Sequence, residues 1–408
     1  MAKALFSKLI TIVLIVLFGF IPIVVLMVKP EDVFTYEPLN PPFEEDNDGG
    51  VDIIFAGDIM LARRIEQKIQ ETNVNYPFES THEYLQTADL RVGNLECVLS
   101  SRGELIEGRE MPFRADPELV EGLAYADFHL LTLANNHILD YGAVALNDTI
   151  ENLDDGNIKY TGLYTGESIN DSKDFMARPL LFQRGAIQFA FLSYAQNPPA
   201  AWAFLDSFYE PIPLENDTMI AEIDYVKKQY PSAVIIIQIH WRISPQYQHT
   251  HTTYQEEITK SAIDAGATVV ACHGPHAIQD IEAYQSQDNK TKGLILYSLG
   301  NYVFDLSNET SHYSILAKIG FEGTTISRIG ILPIYRQDLQ YSPAGKEKIY
   351  EYDPVWSLEW EQCEKLFTFK VNNPFFGPNL GSYLGIILSV PFIGISFLLK
   401  RRKLNREG

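Results

Sequence analysis

Cysteine is scarce. Cys97, Cys272 and Cys363 are the only three in 408 residues, and an odd number excludes a complete disulfide framework. Cys97 and Cys272 stand beside Glu96 and His273, so a bridge or a soft metal ligand stays open as an alternative to buried strand thiols. The chain also lacks a Gly-x-Ser-x-Gly elbow, a Walker loop and a dinucleotide fingerprint. These absences exclude an elbow-type serine hydrolase and a nucleotide-driven ligase within this polypeptide. No low-complexity tract or repeat period is present, which excludes a solenoid. Positive charge is short as well: 32 Lys and Arg face 53 Asp and Glu, for a net charge of −21. Eight of those basic residues (Lys3, Lys8, Lys29, Lys400, Arg401, Arg402, Lys403 and Arg406) lie at the two ends, with only Glu407 against them. The middle is therefore more acidic than the whole. It repels polyanions unless cations intervene, and nucleic acid is excluded as a partner.

The ends carry long apolar runs. Leu9 to Val28 is free of charge, long enough to cross a bilayer, and is followed by Lys29-Pro30 with no small-residue cleavage site. It reads as an uncleaved anchor. Leu380 to Leu399 is equally free of charge and meets Lys400-Arg401-Arg402-Lys403 at once. Basic flanks mark the cytoplasmic side, so both termini are expected inside and the chain between them outside. The expected organisation is a cytoplasmic N-terminus (1–8), an anchor (9–28), a Pro- and acid-rich tether (29–50), a folded domain (51–336), an irregular membrane-proximal region (337–379), a second span (380–399) and a basic cytoplasmic tail (400–408).

Within the folded part, apolar runs alternate with helical patterns. Strands are expected near Val51 to Ala56, Arg91 to Leu95, Phe128 to Leu133, Ile187 to Ser193, Val234 to Ile239, Thr268 to Ala271 and Leu294 to Ser298. Helices are expected over Ala143 to Leu153, Thr218 to Gln229 and Tyr254 to Ala265. This alternation predicts an α/β fold with a largely parallel sheet under helices. Such sheets bind ligands beyond the carboxyl ends of their strands. The polar motifs fall at those ends: Gly57-Asp58, Asn94-Leu95-Glu96, Asn135-Asn136-His137 with Asp140, His240-Trp241, His273-Gly274-Pro275-His276 and Ser298-Leu299-Gly300-Asn301-Tyr302.

Each motif alone has a bland reading. Asp58 suits a helix N-cap, Glu96 a solvated strand end, Asn135-Asn136 a capped turn, and His240 a satisfied core histidine. Together they form a set of carboxylates, amides and imidazoles suited to Mn, Fe, Zn or Mg, with enough ligands for one divalent ion or two. Asp140, three residues after His137, can orient that imidazole and fix its tautomer. His249 and His251 lie in a polar stretch before a helix and are expected at the surface.

These segments, with Met60-Leu61-Ala62-Arg63, Asp140-Tyr141-Gly142 and Tyr297 to Asp305, resemble the bacterial capsule-synthesis proteins of the CapA type, associated with poly-γ-glutamate production. The resemblance spans about Val51 to Ile334. It implies a metallophosphoesterase-like β-sandwich flanked by helices, here between two transmembrane helices. By the same resemblance Asp58, Glu96, Asn136, His240, His273 and His276 are metal ligands, and His137 with Asp140 is catalytic. Asn94 and Asn135 support the ligands. Asn301 stands behind them or, with Arg63, at the substrate. Arg64, Arg109 and Arg114 are further sources of positive potential. The implied partners are the membrane, an anionic polymer or an envelope phosphoester, and membrane-bound polymer-synthase subunits. Departures from the family pattern are Arg242-Ile243-Ser244 after Trp241, where a Gly and a nearby Glu are usual, and Cys272 in place of Gly.

Overall fold

The structure is a computed structural model and describes residues 50–165, 179–196, 209–242, 246–345, 348–351 and 357–358. Both expected spans, the tether except for Gly50, the basic tail, Cys363 and Ile243-Ser244 lie outside the described residues. Among the described residues no helix is long and apolar enough to cross a membrane.

Strand β1 (Gly50–Ile59) shows how the layers arise. Successive strand residues face opposite sides. Val51, Ile53 and Phe55 pack into one apolar cluster, and Ile54 and Ala56 into another. Both faces are covered, so the run reads as continuously apolar. β1 pairs in parallel with β2 (Leu90–Leu95), then follow β3 (Leu130–Thr132) and Lys159–Thr161. On the other side of β1, Tyr313–Glu322, Thr325–Gln337 and Gln340–Pro343 extend this nine-stranded sheet antiparallel. A second, seven-stranded sheet is built around β4 (Val234–His240) and β5 (Val269–His273), which run parallel to each other, to Ile187–Ala195 and to Lys292–Leu296. Short β6 (Asn301–Val303) returns the chain to the first sheet beside the end of β1.

Phe55, Val92 and Leu130 of the first sheet share one cluster with Phe189, Ile236 and Ala271 of the second, so the sheets stack face to face. Helices α1 (Arg64–Glu71) and α2 (Gly142–Asp155) bury Ile65, Leu146 and Ile150 against the outside of the first. Helices α3 (Asn216–Gln229) and α4 (Thr253–Ala265) bury Ile223, Val226, Ile258 and Ala262 against the outside of the second. α4 starts at a capping box, in which Thr252 and Gln255 satisfy each other's backbone, and stops at Gly266 with φ +124°.

The mixed α/β class agrees with the sequence, and the strand and helix positions fall close to those expected. The largely parallel sheet expected from the alternation is corrected to two stacked mixed sheets, in keeping with the β-sandwich flanked by helices that the resemblance implies. A strand buried on both faces has the same pattern whether it is covered by helices or by another sheet. The stretch after Gln337, read as irregular, contributes Gln340–Pro343 and Lys348–Glu351 to the first sheet and Ser357–Leu358 to the second.

Candidate metal centre

Register places the polar strand ends together. Asp58 lies opposite Asn94 on one side and Asn301 on the other, and His240 lies opposite His273. Two glycines allow the backbone to come this close. A Cβ on Gly57 would sit 2.0 Å from the Gly300 carbonyl oxygen, and one on Gly274 (φ +102°) 2.1 Å from that of Trp241. The tight turn at Gly274 then presents His276, itself at φ +55°.

Asp58 is fully buried and is no helix cap, because α1 begins six residues later. Its Oδ1 accepts from Asn94 Nδ2 at 2.8 Å and lies 3.2 Å from His273 Nδ1. Its Oδ2 accepts from the Gly274 N–H at 3.1 Å and lies 3.6 Å from His276 Nδ1. Burial would raise the pKa of this carboxyl. The His273 imidazole close by, with the charges of His240 and His276, overrides burial and holds it well below the usual range.

Glu96 is the opposite case. It is 1% exposed rather than solvated. Its Oε1 lies 3.4 Å from His240 Nε2 and 3.7 Å from His137 Nε2, and its Oε2 has no hydrogen-bond partner among the described residues. Burial, then the Asp58 charge, push it up to about 8 against the pull of His276 and His137. His240 is not a satisfied core histidine: neither ring nitrogen makes a hydrogen bond among the described residues, and burial holds it down at about 4. His276 donates from Nδ1 to Asn301 Oδ1 at 2.8 Å, which fixes the tautomer with Nε2 free. Asn301 is fully buried, and this contact engages its side-chain oxygen with His276.

His137 enters from the loop after β3. Its backbone N–H bonds Asn135 Oδ1, and Asn135 Nδ2 reaches Asn94 Oδ1 at 3.1 Å and the Leu95 carbonyl at 2.8 Å. The chain Asp58–Asn94–Asn135–His137 thus links three motifs. His137 Nδ1 lies 2.8 Å from Asp140 Oδ2, which turns Nε2 toward Glu96. Burial lowers the basicity of His137 despite Asp140. Asn136 is half-buried, and its carbonyl accepts from Arg109 Nη2 at 2.7 Å.

Three contributors were not singled out for this role by sequence. Arg109, read as a source of general positive potential, ion-pairs with Asp140 at 2.5 Å and reaches His137 Nδ1 at 3.0 Å. Phe113 stacks on His137 with centroids 4.0 Å apart, while its N–H bonds Asp140 Oδ2 at 2.9 Å. Both come from the irregular segment before Arg114–Ala115, where no periodic pattern marks them. Gln238, in the strand before His240, turns Nε2 toward His273 Nε2 at 3.5 Å. His249 and His251, expected at the surface, are partly buried. His249 Nδ1 meets the Ile278 carbonyl at 2.8 Å, and His251 stacks on Tyr297 at 3.8 Å with Asp280 Oδ2 at 2.7 Å from its Nδ1.

Ligand atoms of Asp58, Glu96 and His276 lie within 4.8 Å of one another, a group of the kind that holds a metal ion. Buried polar atoms normally have partners. The His240 nitrogens and Glu96 Oε2, without partners among the described residues, fit a divalent cation at this group. Thiolate ligation does not fit: Cys97 and Cys272 are free and buried, Cys97 is pushed up to about 12 by burial, and Cys272 higher still.

Fold and centre together define a two-sheet α/β protein with a buried carboxylate–imidazole cluster where the strand ends of both sheets meet. Residues 52–306 match the bacterial capsule synthesis protein family PGA_cap, and the chain belongs to that family. It is similar to the capsule biosynthesis protein CapA of Bacillus anthracis, 24% identical over 363 residues that cover 86% of this chain and 85% of that one. It is also similar to the PGA biosynthesis protein CapA of Bacillus subtilis strain 168, 23% identical over 341 residues covering 82% and 86%. A probable polyglutamine synthesis accessory protein of Mycobacterium tuberculosis is 24% identical over 274 residues, covering 65% of this chain and 69% of its own.

Proposed function

We propose that this chain is a membrane-anchored accessory of capsule-polymer synthesis that assists the synthesis, export or attachment of poly-γ-glutamate outside the cell. The spans at 9–28 and 380–399 would hold the folded part on the extracytoplasmic face with both termini inside. The relatives' names support the polymer role, and the chain has no nucleotide-binding loop. Bond formation would therefore fall to membrane-bound synthase subunits acting with it. One observation carries the site: two imidazole nitrogens and a carboxylate oxygen, buried and bare, beside the Asp58–Glu96–His276 group. Asp58, Glu96, Asn136, His240, His273 and His276 would hold one or two divalent ions, which supply positive charge to bind and polarise anionic groups. That charge answers the problem of an acidic domain handling an acidic polymer.

A second reading, a phosphoesterase-type hydrolase of an envelope substrate, draws on His137. Its Nδ1 is committed to Asp140, and its Nε2 faces the cluster from a buried position, an arrangement in which Nε2 takes up a proton in the neutral ring and can donate it once the ring is protonated. Two stacked sheets flanked by helices are in keeping with a metallophosphoesterase-like fold.

The test is metal content of the purified full-length chain by elemental analysis, beside Asp58→Ala and His240→Ala, with a generic phosphodiester assay on the same samples. Near-stoichiometric metal that both substitutions abolish supports the centre. Turnover that His137→Ala removes while metal remains selects the hydrolase. A folded wild type without metal refutes the centre.

A further inference from the structure

Two ends of the sequence motifs are left over by the metal cluster: Arg63, six residues after Gly57, and Asp305, the last residue of the Tyr297 to Asp305 run. They meet across 242 residues. Arg63 Nε and Nη2 donate to Asp305 Oδ2 and Oδ1 at 3.1 and 2.5 Å, and Asp305 is buried. The pair holds the guanidinium side-on. Of its five donors, those not turned to Asp305 have no partner among the described residues, and the side chain is 32% exposed. The Arg63 backbone sits at φ +60°, ψ −124°, a region that residues other than glycine rarely adopt and that clusters at ligand sites.

Aromatic rings connect this position to the centre. The Arg63 guanidinium lies 5.2 Å over the Phe113 ring, and Phe113 stacks on His137. Phe304 meets Phe113 at 5.6 Å and His276 at 4.8 Å. The buried aromatic pair therefore spans from Arg63 to both histidines, and apolar surroundings of this kind strengthen a charged contact beside them. The neighbouring arginines are spent otherwise. Arg109 is committed to Asp140 and the Asn136 carbonyl. Arg114 lies over the Tyr141 ring at 4.2 Å and faces two backbone carbonyls. Arg64 turns to the Asp305 carbonyl.

We propose that Arg63, clamped by Asp305, is the anion-gripping residue of this centre, and that the ligand is an oxyanion, a carboxylate or a phosphate, held between the guanidinium and the metal. This rests on the metal-centre reading. A planar guanidinium suits two-oxygen recognition, and a lysine at the same place offers only a point charge.

The experiment measures binding by calorimetry to the full-length, metal-loaded chain and to Arg63→Ala, Arg63→Lys and the double variant Arg63→Ala/Asp305→Asn, with metal content followed in every sample. The double variant removes the carboxylate that Arg63→Ala would leave buried and unpaired. The probes are a γ-linked glutamate oligomer, the same oligomer amidated on its side carboxyls, and inorganic phosphate. Loss of a charged hydrogen bond predicts about tenfold or more weaker binding of one anionic probe by Arg63→Ala and by the double variant. Metal is retained, Arg63→Lys falls between, and the amidated oligomer does not respond. Dependence confined to the oligomer identifies a carboxylate ligand, and dependence confined to phosphate a phosphoester; either supports the assignment. Unchanged affinity for both with metal retained overturns it, as does loss of metal in both the single and the double variant. If the wild type holds no metal yet binds the oligomer through Arg63, the metal centre falls and the anion grip stands.

Discussion

Glu96→Gln should stabilise the metal-free protein and abolish its response to metal. Glu96 is buried, its Oε2 is bare, and it faces the Asp58 carboxylate. Its folded value is raised from 4.5 to about 8, so it is protonated in the metal-free fold at neutral pH and ionised in the unfolded chain. For a raised folded value, the group's contribution is fully present below 4.5 and is lost as pH rises to about 8. At pH 7 the lost portion spans about 2.5 pH units, or about 3 kcal/mol. Glutamine has the same shape and no proton to lose, so the substitution removes that penalty. Thermal unfolding with chelator at pH 7 should show Glu96→Gln melting several degrees above wild type, on the scaling of melting temperature with stability for large domains. The gap should shrink toward zero near pH 4.5 and stay constant above about 8. With a divalent ion added, the order reverses, because wild type gains binding free energy and the amide does not. A metal-free variant no more stable than wild type at pH 7 would refute the assigned environment of Glu96. Unaltered stabilisation by metal would remove it from the ligands.

Metal binding below pH 8 should release a proton, because Glu96 must ionise to ligate; calorimetry in buffers of different ionisation enthalpy will show it, and equal heats in all buffers would contradict it. His240, held at about 4, adds stability that is full above 6.5 and is lost as pH falls toward 4, so His240→Gln should flatten the acid limb of a pH–stability curve. Gly57→Ala drives a Cβ to 2.0 Å from the Gly300 carbonyl oxygen and should cost more than about 4 kcal/mol or prevent folding. Gly108→Ala, at φ +82° in open space, should cost only about 1 kcal/mol; equal denaturation midpoints for the two would contradict the close approach. Arg109→Ala breaks a largely buried pair with Asp140 and should destabilise by about 3 kcal/mol. It should also blur the His137 tautomer seen in ring nitrogen shifts, with Arg109→Lys restoring part of it.

The two sheets explain which parts of the centre were legible in sequence. Asp58, Glu96, His240 and His273 could be found because each ends an apolar strand, where a polar residue has no packing role. The strands themselves were legible for the same reason. Whether β1 and β4 belong to one sheet or two was not legible in the strand pattern, since a doubly buried strand carries no mark of what covers it; only the family resemblance implied a sandwich. Arg109 and Phe113 were illegible as partners of His137 because they sit in an irregular segment whose path is set by contacts, not by period. The pairing of Arg63 with Asp305 was likewise hidden, although each residue ends a motif. A motif that ends on an arginine and another that ends on an aspartate look like two surface charges until the fold joins them. The division of donors adds a physical consequence. Asp58, Glu96 and His137 come from the first sheet and its loops, and His240, His273 and His276 from the second. Neither sheet alone closes the cluster, so an ion bound there ties the carboxyl ends of both sheets together. Stabilisation by metal should therefore appear as hydrogen-exchange protection at both Ile59 and Ile239. Protection confined to one sheet would mean that the ion is held by only half of this ligand set.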